Sequence, residues 1–343
     1  MLKRLAVLAA AMLGLSSGAA HATYSVVAYD PETGQLGVAV QSKTASVGAR
    51  VRYGMAGVAA IASQASSNPM MGEIGLTLIQ RGFSPEEARD MLVKMDNGAA
   101  NRQFAIVDTK GRSAGWTGAA TSGFAGHICQ PNFCVEANTM TGPEVQNSMA
   151  LAYVNAAAQR LPLIERLIAV LEAGETAGGD RRGKQSAGVM IFSPRTVAGY
   201  GDHMYDLRVD DNPEPIKEIR RVYNVTLARN LPNQIGDHIA AGKFDEAFAE
   251  VNKRLALDPK SDDALADRAR IYLAMNKSSE AIKTLRQAIA INPKLYYQVL
   301  RNDNFKALWD NAAYRALGDY SRFHPLAPSV TGPDSMPMPS IPK

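Results

Sequence analysis

Blocks of strand and blocks of helix alternate along the first two-thirds of this 343-residue chain, and that grouping limits what it can fold into. Tyr24 to Tyr29 is a β-branched and aromatic run, Asp30-Pro31-Glu32-Thr33-Gly34 is a turn signal, and Gln35 to Ser42 returns as a second strand. Gly57 to Ser63 is a third, short apolar strand. Helical patterns follow over Met71 to Arg81 and from Ser84, where Pro85, Glu86 and Glu87 supply N-terminal signals. Gln103 to Asp108 and Arg112 to Thr117 read as a hairpin around Thr109-Lys110-Gly111. Thr141 and Glu144 form a capping-box pattern opening a helix to Gln159, and Leu163 to Ala173 is an amphipathic helix ending at Gly174. Ser186 to Phe192 and Tyr205 to Val209 close the block as strands. Such grouping predicts an α+β fold with two stacked sheets flanked by helices, an αββα sandwich, rather than a doubly wound parallel sheet.

The chain opens differently. Lys3 and Arg4 precede an apolar run from Leu5 to Leu15, too short to span a bilayer, and Ala20-His21-Ala22 gives a small-x-small cleavage pattern. Residues 1–22 are therefore expected to be a signal peptide, leaving Thr23 first in a periplasmic or secreted protein, with no membrane span after cleavage. Without Lys3 and Arg4 the balance is 35 basic to 33 acidic residues. No dense basic run carries interleaved aromatics, so nucleic acid is not an expected partner. Cys129 and Cys134, the two cysteines, are expected to pair in an oxidising compartment, the alternative being a Cys129 nucleophile beside His127. The five histidines are scattered without ligand spacing, and neither metal nor cofactor is expected.

The later part repeats itself. Gly242-Lys243-Phe244-Asp245-Glu246-Ala247 aligns with Asn276-Lys277-Ser278-Ser279-Glu280-Ala281, and Asp258-Pro259 with Asn292-Pro293, each at an offset of 34 residues. That is the tetratricopeptide (TPR) period, with small residues where paired helices approach and Pro where they end. The expected organisation is a first domain over 23–220, an all-α TPR-like domain over 224–320 that binds a protein partner, and a disordered Pro-rich tail over 323–343.

An N-terminal threonine carries its own base. An α-amine has a pKa near 7.7–8.0, so a fraction is neutral at pH 7 and accepts the hydroxyl proton. Thr23 ahead of a hairpin, then Gly37-Val38-Ala39-Val40-Gln41-Ser42-Lys43-Thr44 and Gly54-Met55-Ala56-Gly57, resembles the start of proteasome β-subunits and other N-terminal-nucleophile (Ntn) hydrolases. The resemblance implies Thr23 as nucleophile, Ser42 and Lys43 beside it and Gly57 as oxyanion donor, with Arg50 and Arg52 competing with Lys43 as the basic partner. Gln41 stands where the proteasome pattern has a carboxylate.

A longer resemblance covers Thr23 to about Glu218. It rests on Thr23-Tyr24-Ser25-Val26-Val27-Ala28, Ser63-Gln64-Ala65, Asn68-Pro69, Arg102-Gln103, Glu165-Arg166-Leu167 and Leu171-Glu172-Ala173-Gly174-Glu175, and above all on Gly178 to Ala187 and Leu207-Arg208-Val209-Asp210-Asp211. These residues are similar to the bacterial and archaeal family called domain of unknown function 1028, grouped with Ntn hydrolases. Some relatives carry a peptidoglycan-binding domain, which implies a cell-wall (peptidoglycan-derived) substrate. Gln64, Asn68 and Asn138 are candidates for orienting an amide substrate or for capping backbone groups. Asp180, Arg181 and Arg182 are candidates for holding a substrate carboxylate, or for a structural pair with the glycines making the turn. The expected activity is hydrolysis of an amide or peptide bond by Thr23. The alternative is a non-catalytic Ntn-fold scaffold that recruits a partner through its TPR-like helices.

Overall fold

A computed structural model describes residues 22–197, 201–299 and 302–318. The expected signal peptide, apart from Ala22, and the expected tail lie outside them. The chain divides into two compact units between Val222 and Tyr223.

The first unit is mixed α and β with two antiparallel sheets. Its strands are β1 (Thr23–Tyr29), β2 (Leu36–Ser42), β3 (Arg52–Met55), β4 (Ala59–Ala65), β5 (Arg102–Asp108), β6 (Ser113–Thr117), β7 (Phe124–Gln130), β8 (Phe133–Met140), β9 (Ser186–Val197) and β10 (Gly201–Val209). Its helices are α1 (Gly48–Val51), α2 (Pro69–Gln80), α3 (Pro85–Met95), α4 (Glu144–Ala158) and α5 (Leu163–Thr176). One sheet has the order β10-β9-β2-β1-β8-β7 and the other β3-β4-β5-β6.

Alternation along β1 decides what lies between the sheets. Val27 packs with Val38 and Val40 of β2, Ala60 and Ala62 of β4, and Ala105 and Val107 of β5 in one buried cluster. Thr23 and Ser25 share the face of Val27, because side chains two apart on a strand point the same way. Tyr24 points to the opposite face, where its hydroxyl donates to the carbonyl of Leu171 in α5 at 3.4 Å. On the far side of the four-stranded sheet, Ile61, Phe104 and Ile106 pack on Met71, Leu76 and Ile79 of α2 and Ala88 and Leu92 of α3.

Two local expectations are corrected, and two strands form where the sequence carries no strand signal. β7 and β8 were not foreseen as strands. Glu136, Ala137 and Asn138 are poor strand formers, yet β8 is buried along its whole length because it pairs with β1 on one side and β7 on the other. The expected capping box at Thr141 is absent: α4 starts after Pro143 without a side-chain cap, and the Thr141 N–H donates to the Gly179 carbonyl. Gly174 does not stop α5, which runs on to Thr176. A Cβ at Gly174 would lie 3.0 Å from both Met149 and Tyr24, so this glycine serves close helix approach. By contrast, Ser84 caps α3 as its spacing predicts. Its side chain accepts from the Glu87 N–H, and Glu87 accepts from the Ser84 N–H at 2.7 Å.

The second unit is helical: α7 (Ile235–Ala240), α8 (Phe244–Leu257), α9 (Asp262–Ala274), α10 (Ser278–Ile291), α11 (Leu295–Val299) and α12 (Ala312–Arg315) follow α6 (Pro215–Asn230), in which the division falls. The 34-residue repeat is visible in backbone angles. Gly242 and Asn276 both take positive φ, +71° and +59°, in the left-handed conformation that Gly and Asn tolerate. The C-caps Asp258 and Asn292 have φ of −131° and −129°. Ala247 and Ala281 are fully buried, as the small-residue positions require. No helix among the described residues is long and apolar enough to cross a membrane.

Cys129 and Cys134 sit directly opposite each other on the β7–β8 hairpin and are disulfide-bonded. A thiol titration of the unreduced, denatured protein is expected to find no free thiol, and two after reduction. The bonded sulfur leaves no thiol at Cys129 to act as a nucleophile beside His127, whose Nδ1 is instead 2.9 Å from the Thr117 hydroxyl.

Candidate active site

Thr23 is the first residue of β1, held between Ser42 of β2 and Asn138 of β8. It is 3% exposed. Its hydroxyl donates to Ser42 Oγ at 3.1 Å. Its main-chain carbonyl accepts from Gln64 Nε2 at 3.2 Å and from Asn138 Nδ2 at 3.3 Å. Both amides also donate to Gln103 Oε1, at 2.8 and 2.9 Å. The Gln103 amide nitrogen is anchored in turn on Thr117 Oγ1 and the carbonyls of Gly126 and Ala137, at 2.9, 3.0 and 2.9 Å. Three buried carboxamides from β4, β5 and β8 thus fix the backbone of Thr23.

Ala22, the residue before it, is fully buried. Its carbonyl oxygen accepts from Ser42 Oγ at 2.5 Å and from Arg182 Nη2 at 2.7 Å. The guanidinium is aimed by Asp180, whose Oδ2 accepts from Arg182 Nη2 at 3.0 Å and whose Oδ1 accepts from the Arg182 N–H at 2.8 Å. Asp180 also accepts from the Lys43 N–H at 3.0 Å, tying the loop after β2 to the 178–183 loop. Gly178 in that loop has φ +113°, and a Cβ there would lie 2.3 Å from Thr141 Oγ1, so only glycine fits.

The residues singled out from the sequence therefore separate. Thr23, Ser42, Gln64, Asn138, Asp180 and Arg182 converge. Gln64 and Asn138, at 1% and 2% exposure, face the Thr23 carbonyl and spend their amide donors there and on Gln103, so they position the threonine instead of presenting donors to solvent. Asn68 lies elsewhere, at the N-cap of α2, where its side chain accepts from the Met70 N–H. Arg181 is exposed and borders an open pocket with Gly123, Phe124, Met140 and Thr141.

The expected oxyanion role of Gly57 is corrected. Gly57 precedes β4, whereas Gln64, near the other end of β4, reaches Thr23. The run from Ala59 to Gln64 alone is roughly 17 Å long at about 3.3 Å per residue. Gly57 abuts Pro194, as does Gly34 in the β1–β2 turn, at the end of the sheet opposite Thr23. The basic partner is likewise not where the strand pattern suggested. Lys43 Nζ reaches outward to the Lys184 carbonyl at 3.4 Å, Arg50 donates to the Ala45 carbonyl, and Arg52 pairs with Asp206 at 2.8 Å. Arg182 is the cation that touches the Ala22–Thr23 peptide. Gln41 pairs with Tyr24 and so lies on the face away from Thr23.

Two residues of this interior were not singled out as site residues. Gln103 stood in a family motif without a role, and Glu136 gave no sequence signal beyond being a carboxylate. Glu136 lies opposite Ser25 and is fully buried; it accepts from Ser25 Oγ at 3.1 Å on one oxygen, with no partner for the other. Burial pushes its carboxyl well above the ordinary carboxylate range, outweighing the Ser25 hydrogen bond.

The family of unknown function DUF1028 matches residues 23–219, and a tetratricopeptide-repeat family matches residues 238–302. The chain belongs to the DUF1028 family. The crystal structure of a protein of that family from Silicibacter pomeroyi is 30% identical, covers 59% of this chain and 88% of its own, and superposes with a TM-score of 0.53. Anbu (ancestral beta-subunit) from Yersinia bercovieri is 13% identical, with 61% of this chain and 98% of its own covered at a TM-score of 0.30. No curated protein matches.

Two outcomes are expected from the polar interior. Gln103→Leu keeps the approximate volume but removes the acceptor of two buried amides and the donor to three oxygens. Unfolding stability should fall on the order of 2 kcal/mol, read by urea denaturation. Glu136→Gln tests the buried carboxyl. With the folded pKa raised, the native state keeps its proton while the unfolded chain ionises above about pH 4.3. The wild type should therefore lose stability relative to Glu136→Gln as pH rises from that point toward the folded pKa, and the difference between the two should be constant below it. Melting temperatures at pH 3.5 to 8 check the sign.

Proposed function

We propose that this protein is an exported N-terminal-threonine hydrolase of the Ntn type, in which removal of residues 1–22 exposes Thr23 and Thr23 attacks an amide or peptide carbonyl. The observation that carries the reading is the setting of Thr23: a strand-initiating threonine, its hydroxyl hydrogen-bonded to a buried serine and its carbonyl clamped by two amides. A surface threonine needs no such apparatus. The sequence of strands and helices, and two sheets sharing one apolar interface, support an αββα Ntn sandwich as the architecture.

In the mechanism the freed α-amine takes the Thr23 hydroxyl proton as Oγ1 bonds to the carbonyl carbon. The C–N bond then breaks, the amine leaves with that proton, and water hydrolyses the ester. The guanidinium of Arg182, bonded to the carbonyl next to the Thr23 nitrogen, disfavours the charged α-ammonium and so favours the base form. Asp180 moderates that effect while holding the guanidinium in place. The tetratricopeptide match supports a protein partner for the second unit, and the substrate is an amide or peptide, with peptidoglycan-derived material as the family resemblance implies.

The test is covalent labelling with a β-lactone electrophile, followed by intact mass and peptide mapping. The processed protein is expected to acquire one adduct at Thr23. Thr23→Ala should abolish it while the protein stays folded by circular dichroism, and Thr23→Ser should react more slowly through looser positioning. A chain retaining one residue before Thr23 keeps the hydroxyl but holds the amine in a peptide bond. It should lose the ~10²- to 10⁴-fold general-base contribution. An unlabelled processed wild type would favour the scaffold alternative.

A further inference from the structure

We infer that the place occupied by Ala22 is the acyl subsite of the processed enzyme, that Ser42 Oγ and Arg182 Nη2 are the donors to the substrate carbonyl oxygen, and that the favoured substrates are amides of a small, alanine-sized acyl residue. The inference rests on Thr23 being the nucleophile and names what it acts on.

In the unprocessed chain a peptide carbonyl already sits against Thr23. Its oxygen takes two hydrogen bonds, 2.5 Å from Ser42 Oγ and 2.7 Å from Arg182 Nη2. Ser42 is fully buried and also accepts from Thr23 Oγ1 at 3.1 Å, so one side chain contacts both the nucleophile and the carbonyl. Asp180, 4% exposed, holds the guanidinium through two oxygens, which makes the donor pre-aimed. When residues 1–22 leave, both donors lose their acceptor while the groups that position them remain. An oxygen from the substrate restores the pairing. Donors fixed in advance on the oxygen where charge develops are the arrangement that stabilises an oxyanion.

The size of the acyl group follows from connectivity. Ala22 is bonded to the Thr23 nitrogen, and an acyl-enzyme is bonded to Oγ1 of the same residue, three bonds away. An acyl group on Thr23 therefore falls into nearly the volume that Ala22 fills. Ala22 is 0% exposed in the unprocessed chain, and the Ser42 and Arg182 side chains bonded to its carbonyl remain after cleavage and border the place it leaves. Leucine or phenylalanine in that place must displace packed neighbours, which interiors resist. The Gly57 amide, at the far end of β4, has no part in this site.

The acylation step balances as follows. The Thr23 O–H proton goes to the α-amine, Oγ1 bonds to the acyl carbon, and the bond to the leaving group breaks. With an activated ester the leaving group is p-nitrophenolate, and hydrolysis then returns the N-acetyl amino acid.

The test uses the processed protein beginning at Thr23 and the p-nitrophenyl esters of N-acetyl-alanine, N-acetyl-leucine and N-acetyl-phenylalanine. Release of p-nitrophenolate gives the rate and intact mass the site. The alanine ester is expected to acylate Thr23 at least about tenfold faster than the other two, after correction for their spontaneous hydrolysis. Ser42→Ala and Arg182→Met are each expected to slow acylation by the alanine ester on the order of 10²-fold. Arg182→Lys, which keeps charge but not the aimed fork, should recover only part of it. Acylation of Thr23 at equal rates by all three esters overturns the size assignment while leaving Thr23 as nucleophile. Wild-type rates in both Ser42→Ala and Arg182→Met, with folding intact by circular dichroism, overturn the donor assignment. No acylation of Thr23 in the wild type overturns the nucleophile itself, and this inference falls with it.

Discussion

The Thr23 carbonyl lies at a three-way junction, and the geometry of the whole site depends on the amide cluster that receives it. Gln64 stands on β4, Gln103 on β5 and Asn138 on β8, so the cluster joins the two sheets at the point where the apolar interface gives way to the site. An amide is suited to this place because it donates and accepts without charge. Gln103 Oε1 receives two donors while its nitrogen is fixed by three oxygens, and this fixes which end of the amide faces Thr23. Buried networks of this type specify one arrangement, whereas apolar packing alone tolerates shifts. The direction of the Thr23 hydroxyl is fixed by this arrangement in a way that apolar packing would not fix it.

The same interior holds groups that burial disfavours. Glu136 is wholly enclosed with an oxygen lacking a partner, and Gln64 Oε1 also has none. Buried polar atoms of this type cost stability. They sit on the inter-sheet face of β8 and β4, beside Thr23, and not in the apolar cluster of Val27, Val38, Val40 and Ala60 farther along the sheets. The amide cluster and Glu136 thus gather at the Thr23 end of the interface, and Arg52, buried opposite Ala62 on β3, is a further charged group on that face.

Much of the architecture was legible because it rests on local signals. The β1–β2 hairpin has its turn residues, α3 its capping box, and the helical unit its 34-residue period. The strands β7 and β8 were not legible. Their Glu136, Ala137 and Asn138 argue against a strand, and only pairing with β1 overrides that. The site was legible in part. Thr23, Ser42, Gln64, Asn138, Asp180 and Arg182 were singled out from motifs, and the structure chooses between the roles open to them. Gln64 and Asn138 take the second of the two roles open to them, donating to the Thr23 backbone carbonyl and not to a substrate amide. Gly57 was assigned by analogy of position along the chain, and strand direction carries it to the wrong end. The partnership of Arg182 with residue 22 spans 160 positions, and no spacing rule reaches that far.

Arg182 also shows that a basic residue beside Thr23 need not come from the strand next to it. The proposed chemistry calls for a positive charge near the Thr23 nitrogen and a donor near the carbonyl oxygen, whatever the route of the chain. A lysine after β2 meets neither requirement here, since its ammonium runs outward to the Lys184 carbonyl. The 178–183 loop meets both. Its glycines let it fold tightly against Thr141, and Asp180 anchors it to the Lys43 backbone. The guanidinium then projects back to the start of β1. Arginine suits this better than lysine because its planar fork is shared between the carboxylate that fixes it and the carbonyl it serves. The residue order Asp180-Arg181-Arg182 accounts for the division of labour as well. The pair Asp180 and Arg182 closes on itself, and Arg181 between them is left at the edge of the open pocket beside Phe124 and Met140.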